Sequence, residues 1–327
     1  MSDNRPHLIL GGCGFIGRHV AVLLARGGDR VVVAARAPPA YAFPEDVAER
    51  ISWVPFRMED IDWDTLIEGV GAIHHYAWSS IPASANRNPA ADLAVNVTRT
   101  LGLLEALRRQ GQQGKQVPLI FASSGGTVYG ALRRVPARET DELAPLGAHG
   151  AGKAAAELYL GVYRSLYGLD CRIARIANPF GAGQDPRRGQ GAATTFLYRA
   201  LAGQPITVWG DGEVVRDYIH VADAAAGLVA LARSPRCEGR AVFNVASGQG
   251  VSLNAIIAEL RTRRGRSLEV HYEPGRGFDV PVSVLDVTLA REVLGWSPRL
   301  SFAEGLSRTL ADLERSATFS TLDGFGA

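Results

Sequence analysis

The sequence predicts an α/β fold built on a doubly wound parallel sheet, with a smaller second α/β domain. Short apolar runs of β type alternate with helical patterns through the first half of the chain, which is typical of a parallel sheet with helices on both faces. A glycine-rich turn joins the first such run to the first helix near residue 10. With 327 residues, of which 46% are apolar, the chain has room for one large unit or two interlocked domains.

The individual elements follow from these patterns. We expect β-type runs at residues 7–10, 30–34, 72–76, 117–122 and 171–176, with helices between them, such as 16–26 and 93–109. Beyond Asn178 the chain becomes richer in glycine and proline, and it then continues with a strand-like run at 241–245 and a last helix around 302–314. The predicted domains are 1–178, joined by about 214–247, and mainly 179–327. Residues after about Thr318 are expected to form a loose tail.

The glycine-rich turn reads LILGGCGFIG and predicts a dinucleotide site. Gly11, Gly14 and Gly17 form a GxxGxxG pattern between a strand and an amphipathic helix. Such glycines let the chain turn tightly and approach a pyrophosphate without a Cβ in the way, at a helix N-terminus that offers backbone N–H groups. Phe15 and Ile16 lie inside the pattern and are counted with it as cofactor-binding residues. The first domain is therefore predicted to be a Rossmann-type fold.

The residues after the second strand bear on the choice between NAD and NADP. Folds that prefer NAD usually present an acid to the adenosine ribose here, but VVVAARAPP offers Ala35 and Arg36. Arg36 either pairs with a 2′-phosphate, which favours NADP without excluding NAD, or is a solvated loop arginine. In the later RMED segment, Glu59 or Asp60 is a candidate for contact with the adenine.

Composition excludes several other classes. The formal net charge is +2 and the arginines are scattered, so the clustered basic face of a nucleic-acid-binding protein is missing. Cys13, Cys171 and Cys237 form no CxxC pattern, which favours a reducing compartment and predicts neither a disulfide framework nor a metal site. No apolar run approaches membrane-spanning length, and the first is too short for a signal peptide. A cytoplasmic protein without a membrane partner is expected.

Nine ordered motifs carry a resemblance along nearly the whole chain. They read GGCGFIG, AIHHYA, NVTRT, SSGGTVYG, HGAGK, RIANPFGAGQ, WGDGEVVRDYIHVAD, FNVASGQGVSLN and LGWSP. The chain resembles the extended short-chain dehydrogenase/reductase family, in particular nucleotide-sugar 4-epimerases similar to UDP-glucose 4-epimerase. The resemblance implies a nucleotide-sugar substrate, most simply a UDP-sugar, with NAD slightly favoured as cofactor, and a homodimer formed through helices of the first domain. It also places Ala77 and Asn96 at the cofactor, with a plain buried amide as the alternative for Asn96.

The resemblance breaks at the catalytic residues. In that family a YxxxK tyrosine and lysine lie four residues apart on one helix face, and the lysine grips the nicotinamide ribose and lowers the pKa of the tyrosine. Here the lysine is Lys153, and His149 occupies the tyrosine position. The family's serine or threonine position is Gly125, flanked by Ser124 and Thr127. A neutral imidazole is still able to accept a proton, and the alternative is that His149 merely occupies a helix N-terminus.

The second half of the chain supplies candidates for binding a nucleoside diphosphate, which requires cationic and amide groups. The resemblance assigns Arg216 to the phosphates, and Arg276 and Asp279 of GRGFD to the diphosphate and the nucleotide ribose. Asn178, at the end of a strand, is expected to touch both the cofactor and the sugar nucleotide. Asp223 is expected to cap the helix that follows it.

The shared chemistry of the family begins with removal of a hydroxyl proton and a hydride at the sugar C4, which gives a 4-keto sugar. A 4,6-dehydratase needs an acid/base pair that relatives carry as Asp-Glu, where this chain has Gly126 and Thr127. Because 4-epimerisation needs the fewest additional groups, it is the leading hypothesis. Two alternatives stay open: a weak or inactive homologue that binds dinucleotide and nucleotide sugar, and an NADPH-dependent 4-keto-sugar reductase favoured by Arg36.

Overall fold

The computed structural model describes residues 5–40, 42–188, 191–235, 240–264, 268–275 and 280–315. Its strands, numbered in chain order, are β1 (His7–Leu10), β2 (Val31–Ala35), β3 (Ile51–Pro55), β4 (Ala72–His75), β5 (Leu119–Ser124), β6 (Cys171–Ile176), β7 (Asn178–Phe180), β8 (Ile206–Trp209), β9 (Val215–His220), β10 (Val242–Val245), β11 (Gly250–Ser252), β12 (Val270–Glu273) and β13 (Val282–Ser283).

The helices connect these strands. They are α1 (Phe15–Arg26), α2 (Trp63–Leu66), α3 (Pro82–Arg87), α4 (Pro89–Asp92), α5 (Thr98–Arg109), α6 (Gln112–Lys115), α7 (Gly125–Val128), α8 (Ala148–Tyr167), α9 (Ala192–Ala202), α10 (Val221–Arg233), α11 (Leu253–Arg264), α12 (Thr288–Leu294) and α13 (Phe302–Arg315). The predicted helix at 93–109 is divided, because a π-helical turn at Leu93–Val97 precedes α5.

Seven parallel strands form the main sheet, in the spatial order β10-β6-β5-β4-β1-β2-β3. Successive residues of β1 point to opposite faces, so Leu8 and Leu10 join one hydrophobic core and Ile9 joins the other. Helices α1 and α10 pack together on the face of Ile9, while α5 and α8 pack together and contribute to the core on the opposite face. Burial on both faces explains why these strands read as continuous apolar runs.

The second half of the chain builds a smaller structure and also completes the main sheet. Strands β11, β9 and β13 form a small sheet in which β7 also pairs with β9, and β8 pairs with β12. Their core is apolar and contains Phe180, Phe196 and Tyr218. Residues 214–247, which the sequence assigned to the first domain, contribute to both parts of the structure. Strand β10 joins the main sheet and α10 packs against it, whereas β9 lies in the smaller sheet.

Helix α10 also corrects one residue assignment. Its N-cap is His220, whose Nδ1 accepts a hydrogen bond from the backbone N–H of Ala222 at 3.2 Å. Asp223 does not cap this helix. Its buried carboxylate accepts hydrogen bonds from the backbone N–H groups of Arg299 and Leu300, at 3.1 and 2.9 Å. Asp223 is thus structural, but it anchors the segment before α13 to α10.

The topology places a crevice at the carboxyl ends of the strands. From β1 the chain proceeds to β2 and β3 on one side of the sheet and to β4, β5 and β6 on the other, so the strand order reverses between β1 and β4. Ligands of open parallel sheets bind at such a reversal point. Within the described ranges, no helix is long and apolar enough to cross a membrane, and no cluster of three acidic, histidine or cysteine side chains could hold a metal.

Candidate active site

Two glycines of the motif, Gly11 before α1 and Gly17 in its first turn, are packed too closely for a side chain. Gly11 has a φ of +82°, and a Cβ there would lie 3.0 Å from the backbone nitrogen of Ala77, just after β4. A Cβ on Gly17 would lie 2.4 Å from the carbonyl oxygen of Gly11. The turn is therefore held against the end of β4 by bare backbone, which leaves room for a ligand above it.

The same turn delivers an open helix N-terminus. The N–H of Gly14 donates to Gly11 O at 2.9 Å, which fixes the turn, and α1 begins at Phe15. No side chain caps α1, and its first turn, which includes Ile16, carries no acid. Free N–H groups and the positive end of the helix dipole favour a phosphate at this position. These residues fit the pyrophosphate of a dinucleotide.

A surface cavity of about 200 Å³ lies at the ends of β2 and β3. It brings together the predicted Arg36 and Asp60, whereas Glu59, the other adenine candidate, does not line it. Sequence reasoning missed Arg57, which the pairing of β3 with β2 brings beside Arg36. The lining residues are Arg36, Pro55, Phe56, Arg57, Asp60 and Ile61.

Lys153 is buried in α8, with only 5% of the residue exposed. Its Nζ donates to the carbonyl oxygen of Ala122 at 2.6 Å and lies 3.8 Å from the ring centre of Trp78 and 4.8 Å from that of Phe121. Burial lowers the pKa of Lys153 to about 7, although nearby carboxylates such as Glu157 oppose the shift. The cation–π contacts and the carbonyl favour the protonated form and fix the position of Nζ, whereas burial opposes the charge.

His149 lies one helical turn before Lys153 on the inner face of α8, and 8% of it is exposed. Burial, followed by the charge of Lys153, lowers the pKa of His149 to about 4. Its Nδ1 and the Nε1 of Trp78 are buried without a hydrogen-bond partner among the described residues. The two rings meet edge to face at 6.2 Å, and Gly152 leaves room for the indole, since a Cβ there would lie 3.3 Å from Trp78. The site thus holds a neutral imidazole and two unpaired polar atoms.

The start of α8 is fixed by neighbouring elements. The side-chain oxygen of Asn86, in α3, accepts a hydrogen bond from the backbone N–H of Ala148 at 2.8 Å. Gly150 packs directly on α7, because a Cβ there would lie 2.6 Å from the carbonyl oxygen of Thr127. These two contacts set the position of the His149 ring. Asn86 was missed from the sequence, since a cap supplied from another element leaves no local signal.

The predicted hydroxyl groups differ in availability. Ser124 is half-buried, and its hydroxyl has no partner among the described residues, so it is free for a ligand. The hydroxyl of Thr127 contacts the carbonyl oxygen of Ser124 at 3.5 Å. At Gly125 a Cβ would lie 2.3 Å from a methyl group of Leu285, so the family's serine would fit here only if Leu285 moved.

A buried network supports α8 from the sheet side. Glu157, one turn after Lys153, accepts hydrogen bonds from Ser123 and from Arg175, the latter at 2.7 and 3.0 Å. Arg175 also donates to the Tyr129 hydroxyl at 2.9 Å, and Tyr129 donates to Asn244 at 2.8 Å. Burial raises the pKa of Tyr129 to about 12, so this phenol does not replace the missing one. Ser123 is therefore structural.

Asn96 was predicted to contact the cofactor, with a plain buried amide as the alternative. Asn96 is fully buried in the π-helical turn, and its Oδ1 accepts hydrogen bonds from the backbone N–H and the hydroxyl of Ser79, at 2.8 and 3.1 Å. Its Nδ2 donates to Asp92 at 2.8 Å. Asn96 therefore holds Ser79, the residue after Trp78, and thereby supports the loop that carries Trp78. These contacts agree with the alternative of a buried amide.

Asn178 lies between the two halves of the chain. Its Nδ2 donates to the carbonyl oxygen of Asp217, in β9, at 3.0 Å. A Cβ at Gly126 would lie 3.5 Å from the Asn178 side-chain oxygen, so position 126 faces Asn178 and carries no functional group. Asn178 is thus next to α7, at the crevice where the sequence predicted a ligand contact.

The diphosphate candidates are only partly covered by the structure. Arg216 is half-buried in β9 and donates to the carbonyl oxygens of Val215 and Val280, at 2.9 and 2.6 Å. It therefore holds the backbone immediately after the GRGFD segment. Arg276 and Asp279 lie outside the described residues.

The glycine turn, the uncapped α1 and the buried lysine define a dinucleotide-dependent fold of the extended short-chain dehydrogenase/reductase class. Residues 7–246 match the NAD dependent epimerase/dehydratase family, and the chain belongs to this family. It is 33% identical over 311 residues to the UDP-glucose 4-epimerase of Mycolicibacterium smegmatis. The matched region covers 93% of this chain and 96% of that protein.

Solved structures give the same picture. The chain is similar to the Thermotoga maritima UDP-glucose 4-epimerase with UDP-glucose, with a TM-score of 0.86 and 32% identity over 95% of this chain and 99% of that one. It is also similar to the Thermus thermophilus UDP-glucose 4-epimerase complexed with NAD, with a TM-score of 0.83 and 31% identity over 95% and 99%. The predicted Rossmann-type fold and the nicotinamide dinucleotide cofactor are confirmed. NAD is the cofactor of the family.

Proposed function

We propose that the chain is a nucleotide-sugar 4-epimerase acting on a UDP-sugar and that His149 replaces the family's tyrosine as proton acceptor. The observation that carries this proposal is a neutral imidazole with an unpartnered, buried Nδ1, one helical turn from the buried Lys153. Relatives named UDP-glucose 4-epimerases along almost the whole chain support the choice of substrate.

In this mechanism the sugar O4–H donates to His149 and loses its proton to the imidazole. The nicotinamide, when bound, supplies the acceptor for the C4 hydride and later returns it. Ser124, whose hydroxyl is free, hydrogen-bonds to the same sugar oxygen. Lys153 is placed to donate to the ribose hydroxyls of the cofactor, and His149 finally gives the proton back to O4, with C4 inverted.

The residues around Asn178 favour epimerisation over dehydration. Loss of water from the sugar needs an acid and a base near C5 and C6. Position 126, which faces Asn178, is glycine, and position 127 is threonine, so neither supplies a carboxyl group. Because neither position supplies the acid or the base for loss of water, return of the hydride to a 4-keto sugar is favoured over dehydration.

A second candidate function is a homologue that binds both ligands without turnover. It is favoured by the pKa of His149, since a base with a pKa of about 4 accepts a proton weakly, and by Leu285, which fills the space of the missing serine side chain. Ligand binding alone does not distinguish the two candidates, because both keep the dinucleotide and sugar sites.

The test is incubation of the purified protein with NAD, and separately with NADP, and with UDP-glucose, UDP-N-acetylglucosamine or their 4-epimers, followed by chromatography. Interconversion is expected in the natural chain and should be lost in His149→Gln, which replaces the imidazole with an amide that is not a base. His271→Gln is the matched control, because His271 is exposed on β12. Tight binding measured by calorimetry without conversion of any of these sugars would overturn the proposal, as would full activity of His149→Gln.

We propose further that two copies of the chain associate through α8. Its outer face carries Leu158, Val162 and Leu166 at a spacing of four residues, and they are 66%, 43% and 70% exposed. Tyr159 is 44% exposed on the same helix. A continuous exposed apolar stripe on a long helix is typical of a helix-helix interface.

A further inference from the structure

Two arginines converge at the adenosine end of the cofactor site. Strand β2 ends with Ala35, so no acid is present to bind the ribose hydroxyls, and Arg36 follows directly. Ala35 pairs with Pro55 of β3, and the N–H of Phe56 donates to Ala35 O at 3.0 Å. Because of this pairing, the segments that follow β2 and β3 run side by side. Arg57 therefore lines the same cavity as Arg36.

The charges of these arginines are not neutralised by described residues. Arg36 and Arg57 are exposed, and the guanidinium group of neither forms a hydrogen bond or ion pair with any residue that the structure describes. Two other exposed arginines of the first domain are paired, Arg26 with Asp46 at 2.8 Å and Arg109 with Asp64 at 2.6 Å. Two unpaired guanidinium groups in one cavity repel each other, and an anion that bridges them removes this cost.

Asp60 lies in the same cavity and limits what the anion can be. One carboxylate against two guanidinium groups leaves a net positive charge, so an anion is still favoured. The carboxylate accepts hydrogen bonds and therefore suits the amino group of an adenine. A ligand that presents an amine and a phosphate a short distance apart meets both parts of the cavity, and adenosine 2′-phosphate has this chemistry.

We propose that Arg36 and Arg57 bind the 2′-phosphate of NADP, with Asp60 on the adenine amine, so that this chain prefers NADP to NAD within a family whose cofactor is NAD. The inference rests on the proposed function only in placing the cofactor at the glycine turn. Guanidinium forks bind phosphate in a bidentate manner and make no comparable contact with a neutral ribose hydroxyl.

The test is calorimetric titration with NADP, NAD, 2′,5′-ADP, AMP and inorganic phosphate. The natural chain is expected to bind NADP at least about tenfold more tightly than NAD, and 2′,5′-ADP more tightly than AMP. Arg36→Ala and Arg57→Ala should each weaken NADP by about tenfold and leave NAD nearly unchanged. Arg30→Ala is the matched control, because Arg30 is exposed and directly precedes β2, at the end opposite to Arg36. Added salt should reduce the preference.

Equal or tighter binding of NAD by the natural chain would overturn the inference. So would an equal loss of NAD and NADP affinity in both arginine variants, or phosphate alone competing as well as 2′,5′-ADP, since the cavity would then be a general anion site. The result is separable from the proposed function. Selective NADP binding without sugar conversion would support the role of the two arginines and overturn the proposed epimerase function. Sugar conversion with NAD, without any preference for NADP, would support the epimerase function and overturn the role of the two arginines.

Discussion

At the level of single residues, the site is defined by ionisable groups held in unfavourable surroundings. Lys153 is surrounded by Trp78, Phe121 and the carbonyl oxygen of Ala122, and its pKa is lowered to about 7. His149, with a pKa of about 4, is neutral at the same pH. Burial of groups that would be charged in water costs stability, and such a cost is retained where the groups are needed for binding or chemistry.

We expect Lys153→Met to stabilise the fold while abolishing sugar conversion. The folded state lowers the pKa of Lys153 from 10.5 to about 7, so the unfolded chain binds the extra proton between these values. Stability of the natural chain therefore rises with pH from about 7 towards 10.5, and the full penalty is present below about pH 7. Lys153→Met removes that penalty but leaves the carbonyl oxygen of Ala122 unpaired, so a net gain of about 2 kcal/mol at pH 6 is expected.

Urea unfolding at several pH values measures this effect. The advantage of Lys153→Met should be largest at pH 6 and should shrink as the pH rises above 7. Lys115→Met is the control, because Lys115 is a half-buried lysine of α6 and lies outside the site. If Lys153→Met has a lower free energy of unfolding than the natural chain at every pH, the cation–π contacts of Lys153 outweigh the cost of its burial.

At the level of helices and strands, the sequence predicted the elements whose pattern is local. The five expected β-type runs of the first half correspond to β1, β2, β4, β5 and β6, and α1 begins one residue before its predicted start. Strand β3 was missed, because it is a half-exposed edge strand that ends in proline and has no apolar run. Helix α8 has a clear pattern, but its first turn is held by Asn86 from another element, which local patterning does not reveal.

Asn86 gives a prediction at this level. Asn86→Ala removes the acceptor for the Ala148 N–H at the start of α8, which should cost about 1 kcal/mol of stability. Because His149 is the next residue, sugar conversion should fall as well, with a larger effect on kcat than on KM. Asn88→Ala is the matched control, since Asn88 caps α4 by accepting from Ala91 N at 3.1 Å. The two variants should lose similar stability, and equal loss of activity in both would argue against a positioning role for Asn86.

For the whole molecule, the sequence predicted that two domains share a crevice but not how the chain crosses between them. Helix α10 and β10 return to the main sheet, whereas β9, which precedes them directly, stays in the smaller one. The cavity with Arg36 and Arg57 also depends on this level of structure. Position 57 has no motif of its own, and the pairing of β2 with β3 brings it into the same cavity as Arg36. Sequence motifs therefore identify candidate residues that lie within one loop or helix. Contacts between residues of different elements are seen only in the folded structure.

The last prediction concerns the assembly. If two chains pair through the stripe on α8, burying it stabilises the dimer by roughly 25 cal/mol per Å² of apolar surface, and a charge at its centre should separate the copies. Val162→Glu is expected to give a monomer in light scattering after size-exclusion chromatography, whereas the natural chain gives a dimer. Val293→Glu is the control, because Val293 is 38% exposed on α12, away from the stripe. A dimer that survives Val162→Glu would exclude this face. A monomer that still converts the sugar would place the whole active site within one chain, as the positions of His149, Lys153 and Asn178 predict.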